Sequence, residues 1–175
     1  MAILAIKKYP SPELTTRATE VEVIDDEVRE LVRDMVETMY AAPGVGLAAN
    51  QVGVTRRIAV IDLSVGEDPD ELHVLINPEI VESSGAQCED EGCLSFPGVT
   101  ELVTRPSRVV MRALDLEGRI YTLEGEELMA RAICHEVDHL DGVLFVDRLT
   151  GLKKDRVRKE VRRNLESGAW TEVYP

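Results

Sequence analysis

Cysteine, histidine and positive charge are all scarce in this sequence, and each shortage narrows what the protein can be. Three cysteines are an odd number in a chain of 175 residues, so no complete disulfide framework exists. The N-terminal stretch MAILAIKKYPSPEL also lacks the basic region, long apolar run and small-residue cleavage site of an export signal. Together they predict a cytoplasmic protein with reduced thiols. The formal net charge of −13 argues against a general DNA binder or a membrane-surface binder, which are basic over the whole domain. Acidic surface of this kind serves solubility. No apolar run reaches the length of a bilayer span, and no block of sequence repeats another.

What is present suffices for one domain. A hydrophobic content of 44% over residues 1–175 allows a single core. Between Asp25 and Met39, Val28, Leu31, Val32, Met35, Val36 and Met39 recur at helical spacing, and Pro43-Gly44 ends the run. RIAVIDL, HVLINPEIVES, GVTELVTRPSRVVMRALDL and RIYTLEG are β-branched and bounded by turn residues, and predict mostly antiparallel strands. SVGEDPDE reads as a surface loop, and Glu126 to Leu140 as a second helix that Gly142 can stop. The order of elements predicts an α+β fold, with short antiparallel sheets around a buried helix and a helix toward each end.

That buried helix carries AICHEVDHLDG. His135 and His139 are four residues apart, so both imidazoles lie on one face with Glu136 beside them. Leu128 and Ala132 share that stripe, while Met129, Ile133, Val137 and Leu140 make the opposite side apolar as well. A helix apolar on both sides is buried, and its histidines face an interior cavity suited to a metal ion.

Two imidazoles need a third ligand. No histidine follows His139, and the downstream acids Asp141, Asp147 and Glu160 lie by a turn or in a charged helix. His73 falls in an expected strand, where a sheet or surface position is the simpler reading. Cys134 points roughly 100° away from His135 on the helix and reads as a small buried hydrophobe. Cys88 and Cys93 remain, both in QCEDEGCLSFPG, and Gly92 before Cys93 lets the backbone approach another group. Cys93 is therefore the better candidate. GVGLAA fits a dinucleotide-binding pattern, but a helix precedes it and a strand follows, the reverse of what that pattern needs.

EGCLS at Glu91–Ser95, HEVDHL at His135–Leu140 and GVGLAANQ at Gly44–Gln51 resemble the three signature motifs of the peptide deformylases, in the family's order. The resemblance implies a metallohydrolase that removes the N-formyl group from the formyl-methionine of nascent proteins and releases formate. It implies Cys93, His135 and His139 as ligands of one Fe²⁺, with Zn²⁺ or another divalent metal as substitute, and Glu136 as general base and then general acid. By the same resemblance, the Gln51 amide and the Leu94 backbone N–H face the reacting oxygen, and Gly46 lines the cleft. Val45, Leu128 and Ala132 fall at the methionine pocket, and Arg105 at a position that contacts the peptide backbone. Cys134 replaces a common glutamine, and Glu89 stands where some members are aliphatic. The alternatives are a zincin-type metallopeptidase, against which the missing downstream ligand speaks, and a structural metal module, which would need a fourth protein ligand.

Residues 150–166 form a further expected helix. Val157, Val161 and Leu165 make a narrow apolar stripe, and Lys153, Lys154, Arg156, Arg158, Lys159, Arg162 and Arg163 cover the rest. Nascent chains leave the ribosome near its exit tunnel, and phosphates favour Lys and Arg, so this helix is expected to touch ribosomal RNA there. Residues 167–175 form a tail.

Overall fold

The computed structural model describes residues 1–171; the end of the tail, 172–175, lies outside the described residues. The fold is α+β. The chain runs α1 (Asp26–Ala41), β1 (Gly46–Ala48), β2 (Ile58–Ile61), β3 (His73–Ser84), β4 (Gln87–Gly92), β5 (Thr100–Arg105), β6 (Arg108–Leu114), β7 (Ile120–Glu126), α2 (Glu127–Leu140) and α3 (Gly151–Ser167). Five strands form an antiparallel sheet in the order β1-β2-β3-β6-β7, and β4 and β5 form a separate hairpin. No helix of the described residues is long and apolar enough to cross a membrane.

The sheet separates α1 from α2. Ile58 and Val60 pack toward α1 with Val28, Val32, Met35 and Met39, while Ala59 and Ile61 pack toward α2 with Ile133, Val137 and Leu140. Strand side chains alternate between faces, so a strand covered on both reads as the unbroken apolar run IAVI. Asp25 caps α1, its carboxylate accepting from the Val28 N–H at 2.9 Å. The end of α2 is fixed from outside as well. Its Leu140 carbonyl accepts from the Ala18 N–H at 2.8 Å and from Arg57 at 3.1 Å. Gly142 then turns the chain with φ 74°, where an added Cβ would lie 2.7 Å from the Thr15 carbonyl oxygen.

Three local expectations are corrected. In GVGLAANQ, which carried no expected strand, Gly46–Ala48 is an edge strand, followed by a 3-10 turn over Ala49–Val52. GVTELVTRPSRVVMRALDL divides at Pro106-Ser107 into β5 and β6, which belong to different sheets. QCEDEG forms β4, which polarity concealed, since only Glu91 in it is buried. Helix α3 docks by Val157 and Val161 on a cluster containing Phe96, Phe145 and Leu149, while Leu165 stays exposed. Trp170 joins the same cluster, donating from Nε1 to the Pro97 carbonyl at 2.8 Å.

Candidate active site

Helix α2 brings His135 and His139 to one face, with their Nε2 atoms 3.1 Å apart. Cys93, the first residue after β4, places Sγ 3.3 Å from His139 Nε2, and the three ligand atoms all lie within 4.8 Å of one another. The close backbone approach expected at Gly92 is present: it pairs with Thr100, and an added Cβ would sit 3.2 Å from the Thr100 methyl. Cys88 is exposed on β4, and Cys134 is buried in the core on the other side of α2. His73 opens β3 and takes no part in the cluster.

This donor set fits a divalent metal. Tetrahedral bonds of about 2.0 Å to nitrogen and about 2.3 Å to sulfur require ligand atoms roughly 3.3–3.7 Å apart. The spacings here are close to that requirement. Glu91 also sets the tautomer, because its Oε2 lies 2.8 Å from His135 Nδ1. A carboxylate there accepts a hydrogen bond from Nδ1–H, and in the neutral ring that leaves the Nε2 lone pair turned inward. Glu91 is held low, to about 2, against the opposing effect of burial, by hydrogen bonds from His135 and Arg105. Sequence periodicity explains its placement, since Glu91 and Cys93 are two apart at the end of a strand and face the same side.

Arg105 corrects an expectation. It does not line the cavity. Its side chain is 4% exposed and donates to both oxygens of Glu91, at 3.0 and 2.7 Å, and to Asp138 at 2.6 Å. Asp138 in turn accepts from Arg148 at 2.7 and 3.1 Å. Two carboxylates and two guanidinium groups thus form a charge-balanced network behind the ligands, which satisfies charges that burial would otherwise penalise. The sequence reading missed Glu91, Asp138 and Arg148 as a unit.

The ligands open onto a cavity of about 400 Å³ between α2, β4 and the Pro43–Gly46 and Phe96–Thr100 segments. Val45, Gly46, Gln51, Leu94, Leu128, Ala132 and Glu136 all line it. The Gln51 side chain has a fixed orientation, because its Oε1 accepts from the Ala48 N–H at 3.0 Å while Nε2 faces Ser95 Oγ at 3.2 Å and Cys93 Sγ at 3.5 Å. Glu136 is 4% exposed, its Oε2 has no hydrogen-bond partner among the described residues, and burial pushes its carboxyl group up to about 7. A buried carboxyl group that exchanges its proton near neutrality, beside three metal donors, is equipped for hydrolysis.

The family profile described as polypeptide deformylase matches residues 3–155. A peptide deformylase of Acidobacterium capsulatum is 50% identical over 170 residues, covering 97% of this chain and 100% of that one. One from Azotobacter vinelandii is 52% identical over 165 residues, covering 93% and 96%. The crystal structure of a peptide deformylase from Legionella pneumophila superposes with a TM-score of 0.89 at 42% identity, over 96% of this chain and 98% of that one.

Proposed function

The chain belongs to the polypeptide deformylase family, and on that premise we propose that Cys93, His135 and His139 hold one divalent metal ion, with Glu136 as the proton carrier. The activity is hydrolysis of the N-formyl group from the formyl-methionine of nascent proteins, releasing formate. The observation that carries the residue assignment is the convergence of one cysteine sulfur and two imidazoles on one point beside the buried carboxyl group of Glu136. A thiolate with two imidazoles suits Fe²⁺ or Zn²⁺, and we assign Fe²⁺ with Zn²⁺ as a substitute. When bound, the ion supplies Lewis acidity that brings the pKa of a water molecule toward neutrality.

The chain's own groups do the rest. Glu136 accepts a proton from the attacking water and returns it to the departing amine, the two halves of general acid–base catalysis. The Gln51 amide N–H, with its orientation fixed from Ala48, and the Leu94 backbone N–H donate to the formyl oxygen as negative charge grows there. Val45, Leu128 and Ala132 offer the methionine side chain an apolar wall, and Gly46 lets the peptide backbone come close. The protein works as a single catalytic domain in the cytoplasm, where nascent chains are made.

Formate release from formyl-Met-Ala-Ser by anaerobically purified, Fe²⁺-loaded protein tests the assignment. Glu136→Ala should keep metal and lose turnover, and Cys93→Ala should lose metal. Metal retention in Cys93→Ala refutes the ligand set. We further propose that the exposed cations Arg158, Lys159, Arg162 and Arg163 of α3 contact ribosomal RNA near the exit tunnel. Charge-reversing substitutions at these four positions should abolish salt-sensitive ribosome association, and unchanged association sinks this assignment.

A further inference from the structure

We propose that Arg131 makes the enzyme select formylated chains with an acidic residue immediately after the methionine, an inference that rests on the deformylase reading above. Arg131 is the one Lys or Arg among the described residues lining the cavity. Its NH1 donates to Gln87 Oε1 at 2.9 Å, and no carboxylate among the described residues pairs with it. Gln87 is itself pinned, with its Nε2 donating to the carbonyls of Pro106 and Glu127 at 2.9 Å each. The guanidinium is therefore held in place by a neutral partner, its charge not cancelled and the rest of its fork uncommitted. A positioned fork of this kind recognises carboxylates.

Its distance from the reacting centre selects the substrate position. Arg131 precedes His135 by one helical turn, which is about 6 Å along α2. In an extended substrate, the Cα of the residue after methionine lies about 6 Å from the formyl carbon, one Cα–Cα spacing plus the intervening bonds. The methylene stem of Arg131 can cover the methionine pocket beside Leu128 and Ala132 while its head reaches the next residue. Asp90, exposed on the facing strand, also lines the cavity and opposes this preference. In a chain of net charge −13, an acidic substrate otherwise meets repulsion, and Arg131 is the lining group that can attract it.

The test compares kcat/KM for formyl-Met-Glu-Ser-amide and formyl-Met-Gln-Ser-amide, whose blocked ends remove the terminal carboxylate. The Fe²⁺-loaded wild type should favour the glutamate peptide about fivefold at low salt, the upper range for a partly solvated ion pair. The difference should lie in KM and shrink as salt rises. Because both peptides are read on the same enzyme, the ratio cancels general damage. Arg131→Gln should bring the ratio to unity, Arg131→Lys should keep part of it, and Asp90→Asn should raise it. A wild-type ratio of unity, or a preference that persists in Arg131→Gln, overturns the proposal while leaving the deformylase reading intact. Failure of the wild type to release formate from the glutamine peptide sinks both.

Discussion

Gly46 provides the sharpest test of how tightly the site is packed. A Cβ at this position would lie 2.5 Å from Glu136 Oε1, 3.0 Å from Cδ and 3.2 Å from Cγ. Ordinary contact begins at 3.4 Å, so the oxygen would have to retreat by 3.4 − 2.5 = 0.9 Å. The φ of Gly46 is outside the left-handed region, so alanine meets no backbone strain and the whole effect falls on Glu136. Glu136 is 4% exposed and lines the cavity, so the room its carboxylate can retreat into is the cavity itself, away from its working position. Overpacking of this kind costs about 1–3 kcal/mol, and each kcal/mol lowers Tm by roughly 2–4 °C in a chain of this size. Catalysis should suffer more, because displacing a reacting group by about 1 Å costs on the order of 100-fold in rate. The assay is steady-state formate release by Gly46→Ala, with iron content and Tm measured on the same samples. Full iron occupancy with kcat near the wild-type value would refute the reasoning, since it would mean that Glu136 acts equally well from a displaced position.

Glu91→Gln should lower metal affinity about 10- to 100-fold by loosening the grip on His135, and chelator competition would show it; unchanged affinity would mean that His135 is oriented without Glu91. Burial is the largest cause that raises Tyr40 and Tyr121 to about 12, with the Asp62 hydrogen bond adding to it at Tyr40 and the Asp115 charge at Tyr121. The fold thus favours their neutral forms, so their contribution is complete below the ordinary tyrosine value near 10 and is lost as pH rises from there through about 12. Urea midpoints between those limits should fall less steeply in a Tyr40→Phe, Tyr121→Phe double variant, and parallel curves would count against these two groups.

Local and distant information divide the site. His135, Glu136 and His139 were legible because one helix turn places them, and Cys93 because few thiols remained to choose from. Their supports were not. Charged side chains default to the surface, and nothing local in TRPSR or HEVDHL shows that Arg105 and Asp138 will meet in the interior. Arg105 was given a substrate contact by the family resemblance alone, although the fold turns it behind the ligands. The same default hid β4, a polar hairpin strand whose one buried residue, Glu91, is an acid. It left Arg131 unnoticed too, since an arginine on an amphipathic helix ordinarily faces water. The α+β order was readable because burial on both sheet faces writes the short apolar run IAVI into β2, while the two core helices carry apolar residues at helical spacing.

The buried network explains why these supports must act together. Glu91, Arg105, Asp138 and the half-exposed Arg148 sum to zero charge, and replacing one of the three buried members leaves another uncompensated in a poorly solvated place, at a cost of about 3–5 kcal/mol for a broken buried pair. Glu91 is shared between that network and His135. The electrostatics of the core thereby fix the orientation of a proposed metal ligand. A charge lost at Arg105 should reach the metal site through Glu91, although Arg105 lines no part of the cavity.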